Sequence, residues 1–80
     1  NALTSTIDKD SNIWVGTTGG IFRYNLLTQE SKIYRNISDL ISSHISYITN
    51  DQTDGNIYAS SIDGIIEIFD AKTQKWSHIT

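Results

Sequence analysis

The chain has no cysteine, no proline and no methionine, only two histidines, and six lysines and arginines against nine acidic residues in 80 positions. Without cysteine there is neither a disulfide nor a thiolate metal site to staple so small a chain, and two histidines do not make a structural zinc site. A formal net charge of −3, with the basic residues scattered singly, excludes the basic footprint that nucleic-acid binding requires. Apolar runs are only two or three residues long, so nothing here spans a bilayer and any membrane attachment belongs to a longer parent protein. A domain of this size buries only about 60% of its unfolded surface. Its stability is therefore expected to be marginal, and to come from a core or a partner.

What is present is rich in isoleucine, threonine and aromatic residues, a composition that favours pleated, half-buried surfaces over helices. It is also duplicated. Asn12-Ile13-Trp14-Val15-Gly16-Thr17-Thr18-Gly19-Gly20-Ile21 returns 44 positions later as Asn56-Ile57-Tyr58-Ala59-Ser60-Ser61-Ile62-Asp63-Gly64-Ile65. Each copy is followed by an aromatic-Asx pair (Tyr24-Asn25, Phe69-Asp70) and then by Thr-Gln (Thr28-Gln29, Thr73-Gln74). A period of roughly 40 to 50 residues is that of β-propeller blades.

Period-two alternation, as in half-buried strands, runs through Ile13 and Val15 against Trp14 and Gly16, Phe22 and Tyr24 against Arg23, Ile45 and Tyr47 against Ser46 and Ile48, and Ile66 and Ile68 against Glu67. Turn signals separate these runs at Asp8-Lys9-Asp10-Ser11, Thr18-Gly19-Gly20, Asp51 to Gly55 and Asp63-Gly64. Strands are expected at 3–7, 12–17, 20–25 and 31–35, then at 45–49, 56–61, 64–70 and 75–79. The predicted fold class is all-β: two four-stranded antiparallel propeller blades, 3–35 and 45–80, joined by a connection over 36–44. Within that connection Ile37, Leu40 and Ile41 are spaced to allow a short helical turn. Asn1-Ala2 read as the remnant of a cleaved tag. Two blades cannot close a ring, so the chain is expected to belong to a larger propeller or to self-associate.

The chain resembles the two-component regulator propeller repeat: an inner strand, an Asp-rich turn, Gly-Asn-Ile-Trp-Val-Gly-Thr, Gly-Leu, an aromatic-Asp pair, a Thr-Gly turn and a final aromatic strand. The resemblance rests on Asp8, Asn12 to Thr17, Gly20-Ile21, Tyr24-Asn25 and Thr28, and again on Asp51, Gly55 to Tyr58, Gly64-Ile65, Phe69-Asp70 and Thr73. Ser11 stands where the turn glycine is usual, and Ala59-Ser60-Ser61 where Val-Gly-Thr is. The resemblance implies a piece of the periplasmic sensor region of a Bacteroides-type hybrid two-component sensor histidine kinase, a membrane receptor many of whose kind respond to glycan fragments. It implies adjacent blades or further copies as partners, an oligosaccharide as possible ligand, signal transduction by phosphorelay in the parent protein, and no cofactor.

Among individual residues, Asn12, Trp14, Gly20, Asn56, Tyr58 and Gly64 are the structural signature of the repeat. A ring at Trp14 or Tyr58 fits packing between blades better than a sugar-stacking platform, because a residue repeated in each blade serves the architecture first. Trp76 lies on an outermost strand with no repeated counterpart, where a half-exposed ring could meet a partner. Asp8, Asp10 and Asn12 open like a calcium loop, but Ile13 and Gly19 occupy the positions that loop reserves for glycine and glutamate. They read instead as Asx side chains satisfying turn amides. His44 and His78 are far apart in sequence, no nucleophile elbow is present, and Asp63 and Glu67 are separated by turn and strand geometry, so no catalytic set emerges. The sequon Asn36-Ile37-Ser38 carries no weight in a bacterial protein. The loops 17–19, 62–63 and 36–44 are expected to share one face of the blades, and Arg35, His44 and Asp63, in or beside them, are the candidate ligand contacts. The rival readings are a lyase-type propeller enzyme, as in streptogramin lyases, and a protein-binding scaffold. The inner strands 3–7 and 45–49 carry none of the His, Glu or Arg an axial active site would need.

Overall fold

A computed structural model describes residues 4–35 and 39–80. Eight strands form two sheets in strict meander order: β1 (Thr4–Ile7), β2 (Asn12–Thr17), β3 (Gly20–Asn25) and β4 (Ser31–Tyr34), then β5 (Ile45–Asn50), β6 (Ile57–Ser61), β7 (Ile66–Asp70) and β8 (Lys75–Ile79). All neighbouring strands are antiparallel, and no helix occurs among the described residues. These are two blade-like sheets, not a closed barrel. The expected strand starting at residue 3, the sequon and the Ile37 part of the proposed helical turn fall on or reach into 1–3 and 36–38, outside the described residues. Beyond them the amides of Asp39 and Leu40 both donate to the Arg35 carbonyl, and residues 39–44 hold no helix.

The repeated letters correspond to repeated turns. Asn25 Oδ1 accepts the amides of Leu27 and Thr28, and Asp70 Oδ1 accepts those of Lys72 and Thr73, so the aromatic-Asx pair caps the same turn twice. Gln29 and Gln74 close those turns in the left-handed region, at φ 64° and 61°. Gly20 sits at φ 128°, where an added Cβ would collide with the Tyr34 carbonyl. Ser11 also has positive φ (66°), and its counterpart before Asn56 is Gly55 (φ 78°). A non-glycine residue there costs about 1 kcal/mol. Ser11→Gly is therefore expected to raise stability by about 0.5–1 kcal/mol in urea unfolding, and a loss of stability would contradict the strain.

The sheets stack with their inner strands β1 and β5 adjacent. The Ile48 amide donates to Thr4 Oγ1, and the Asn50 side-chain amide donates to Thr6 Oγ1 and the Ile7 carbonyl. The core fills the space between the sheets: Trp14, Ile21 and Tyr34 from the first, Ile45, Ile48, Ile57, Ala59 and Phe69 from the second, and Leu40 from the connection. Two strands face differently from what alternation suggests. In β7, Glu67 is fully buried and Ile66 is turned outward. In β5, a register shift between Ile45 and Tyr47 buries Ile45 and Ile48 and leaves Tyr47 exposed.

The stack is head to tail. Trp14 and Tyr58 occupy the same place in the second strand of their sheets, yet Trp14 points into the interface and Tyr58 lies on the far face of the second sheet, beside Ile68. The first sheet's far face carries Ile7 and Ile33, and the second sheet's carries Tyr47, Ile66 and Ile79, all exposed.

Candidate functional site

The turn after β1 is organised by the Asp8 carboxylate. Oδ1 accepts the amides of Asp10 (2.9 Å) and Asn12 (3.0 Å), while Oδ2 accepts the Asn12 side-chain amide (3.0 Å) and the Trp14 indole N–H (2.8 Å). Asn12 in turn accepts from the Asn25 side chain through its Oδ1 (2.9 Å), tying the turn to the end of β3. Burial works to raise the Asp8 pKa, but donation from Trp14, Asn12 and Asp10 outweighs it and holds the carboxyl below its ordinary 3.8. A depressed carboxylate stabilises the fold above its unfolded pKa, and that contribution disappears as pH falls through the folded value. Stability measured downward from pH 5 should thus fall more steeply in the native protein than in Asp8→Asn. Parallel profiles would show that Asp8 does not titrate in this way.

Trp14 lies at the centre of four aromatic rings. It stacks on Tyr34 (centroids 6.0 Å apart, 13° between planes) and meets Phe69 at 5.0 Å and Trp76 at 6.3 Å. The cluster joins the sheets, two rings from each. Trp76 is half-buried within it, and its indole N–H is buried with no hydrogen-bond partner among the described residues. Arg23 lies along the edge of this cluster, its guanidinium carbon 4.9 Å from the Trp14 ring and 5.4 Å from Phe69. Its Nη1 donates to Tyr34 Oη (3.2 Å) and Gln74 Oε1 (3.1 Å), so one arginine from the first sheet grips the β7–β8 turn of the second.

Beside Arg23 opens a cleft of about 570 Å³ between the outer strands of the first sheet and that turn. Arg23, Lys32, Tyr34, Glu30 and Gln74 line it together with the Asn12–Asn25 amide pair. Its chemistry is that of hydrogen bonding and positive charge.

A second polar cluster lies on the interface side of β7 and β8. Glu67 Oε2 accepts the amides of Ile41 and Ser42, each at 2.9 Å, and Oε1 pairs with His78 Nδ1. This carboxylate holds the connection between blades against the second sheet. Sequence separation hides the pair, but the hairpin register that sets Asp70 opposite Lys75 sets Glu67 opposite His78. Among the described residues no group of three or more His, Cys, Asp or Glu is placed to hold a metal ion.

Arg35, His44 and Asp63 line neither the cleft nor the Glu67 cluster. All three are exposed. His44 and the β6–β7 turn do come together, since the His44 carbonyl accepts the Ile62 amide (3.2 Å) and Asp63 donates to Ser61 Oγ (3.2 Å). Arg35 lies near Gly20 at the end of β4. The cleft is instead built on the turns that precede β4 and β8, with Arg23 and Lys32 in strands β3 and β4. Of the signature residues, Asn12 and Trp14 belong to the cleft network, Gly20 and Gly64 are turn residues, Asn56 caps the β7–β8 turn through the Ala71 amide (2.9 Å), and Tyr58 is half-buried on the far face. The resemblance to the propeller repeat rests on the residues quoted for it, for no family model, curated protein or solved structure matches this chain.

Proposed function

We propose that the chain is a non-catalytic recognition module, two blades from the extracytoplasmic, periplasmic propeller of a hybrid two-component sensor histidine kinase whose ligands include oligosaccharides. The observation that carries the reading is the head-to-tail stack with apolar residues on both far faces. The far face of the second sheet is the positional equivalent of the first sheet's buried face, so a further blade would dock on it as the second sheet docks on the first. Exposed apolar surface of this kind marks an interaction site. The cleft supports recognition over chemistry, because its lining groups bind and orient and include no nucleophile paired with a base.

Two measurements test this. Because head-to-tail contacts between copies do not close on themselves, the purified chain should associate progressively with concentration in sedimentation, and Ile68→Lys should suppress that. A stable monomer at millimolar concentration would contradict the need for covering. The flanking gene sequence should encode further repeats, a membrane helix and a kinase, and a coding sequence without them removes the receptor reading.

A further inference from the structure

We propose that the cleft beside Arg23 binds an oxyanion carried on a small polar molecule, with Arg23 and Lys32 as the two cations that hold it. The inference deepens the recognition reading and rests on it, by naming a location and a chemistry.

Arg23 and Lys32 are direct cross-strand partners in β3 and β4. Like charges directly opposite one another weaken an antiparallel pair. In a chain with nine acidic residues the inexpensive remedy is a neighbouring carboxylate. None is used among the described residues: Glu67 pairs with His78, and Glu30, although it lines the same cleft, pairs with neither cation.

The arginine is also held in a fixed pose. Its Nη1 is committed to Tyr34 and Gln74, and the Trp14 and Phe69 rings fix the guanidinium position. The Nε and Nη2 donors have no partner among the described residues, and together they form the edge that grips a carboxylate or phosphate with two parallel bonds. Lys32 sends its ammonium to within 5.3 Å of the Tyr34 ring centroid, on the same cleft. A volume of about 570 Å³ suits a ligand of one or two rings. Carboxylate and phosphate present the same oxygen geometry to such an edge, so the experiment includes both.

The test is an amide-resolved NMR titration of the chain, at constant ionic strength, with sodium glucuronate, with inorganic phosphate and with neutral glucose. Saturable shifts are expected at Arg23, Lys32 and Gln74 with at least one of the anions and not with glucose. Arg23→Gln should abolish them. Lys32→Gln, at an exposed position that leaves the core intact, should weaken binding about tenfold and keeps the test decisive if the arginine variant fails to fold. No saturable shift with either anion, or unchanged affinity in Lys32→Gln, overturns the proposal. Glucose binding as tightly as glucuronate overturns it too, while leaving the recognition reading intact. That reading fails separately, on the flanking gene.

Discussion

Replacing Trp14 by alanine should leave the chain largely unfolded at 25 °C. Trp14 is 1% exposed and touches all three other rings of the cluster that joins the sheets. Truncating a buried aromatic to alanine costs about 3–5 kcal/mol. The indole N–H also donates to the Asp8 carboxylate, and a hydrogen bond to a charged group contributes about 1.5–3 kcal/mol. Domains of this length have a total stability of about 4–12 kcal/mol, and two uncovered apolar faces place this one near the lower end. Far-UV circular dichroism and urea unfolding measure the outcome, and a Trp14→Ala protein that remains folded with a loss under about 1 kcal/mol would refute this account of the core. Comparison with Trp76 isolates the hydrogen bond. Phenylalanine at position 14 removes a donor that Asp8 uses, whereas phenylalanine at 76 removes one that is buried without a partner. Trp14→Phe should therefore be the more damaging change by about 1–2 kcal/mol, and equal costs would mean that the Asp8 bond contributes nothing.

The duplicated turns make the strands legible in the sequence. Asx caps, Thr-Gln closures and positive-φ glycines are local, and each expected strand edge lies within two residues of the observed one where it is described. Which face of a strand points inward was less legible, for a physical reason. A sheet built to be sandwiched carries apolar side chains on both faces, so alternation marks the two faces without saying which one the present partner covers. Ile13 and Val15 flank Trp14, and Ile66 and Ile68 flank Glu67, yet in both strands the middle residue lies inside. The cleft was hidden for a different reason, since it needs the β3–β4 register and a turn from the other sheet 51 residues from Arg23. A signal did exist in the chain: an arginine between Phe22 and Tyr24 in a strand, set opposite Lys32 by the hairpin, is an unusual charge to place there. Arg35, His44 and Asp63 are polar residues in or beside loops, a criterion blind to register.

Glu67 should carry the second large effect. Its counterpart in the first sheet is Phe22, as His78's is Ile33, so the second sheet has exchanged an apolar cross-strand pair for an acid and an imidazole. The exchange has a visible use: a phenylalanine cannot accept the amides of Ile41 and Ser42, which leave the connection pointing at Oε2. Glu67→Ala strands the two backbone donors and leaves the solvent-accessible His78 without its partner; with about 1–3 kcal/mol for each donor left unmade, a loss of about 2–5 kcal/mol is expected. Glu67→Gln retains a carbonyl oxygen for the same two amides and should lose only about 1–2 kcal/mol. The informative variant is the double change Glu67→Phe with His78→Ile, which copies the first sheet. If the carboxylate were only filling space, that variant would match or exceed the native stability, because well-packed apolar residues often replace buried ion pairs without loss. If it fastens the connection, the double variant should still lose about 2 kcal/mol, and the Ile41 and Ser42 amides should exchange with solvent at least about tenfold faster than in Glu67→Gln. Unchanged exchange at both amides in the double variant would assign the burial of Leu40, and not Glu67, as what fixes one blade's exit to the next blade's entry.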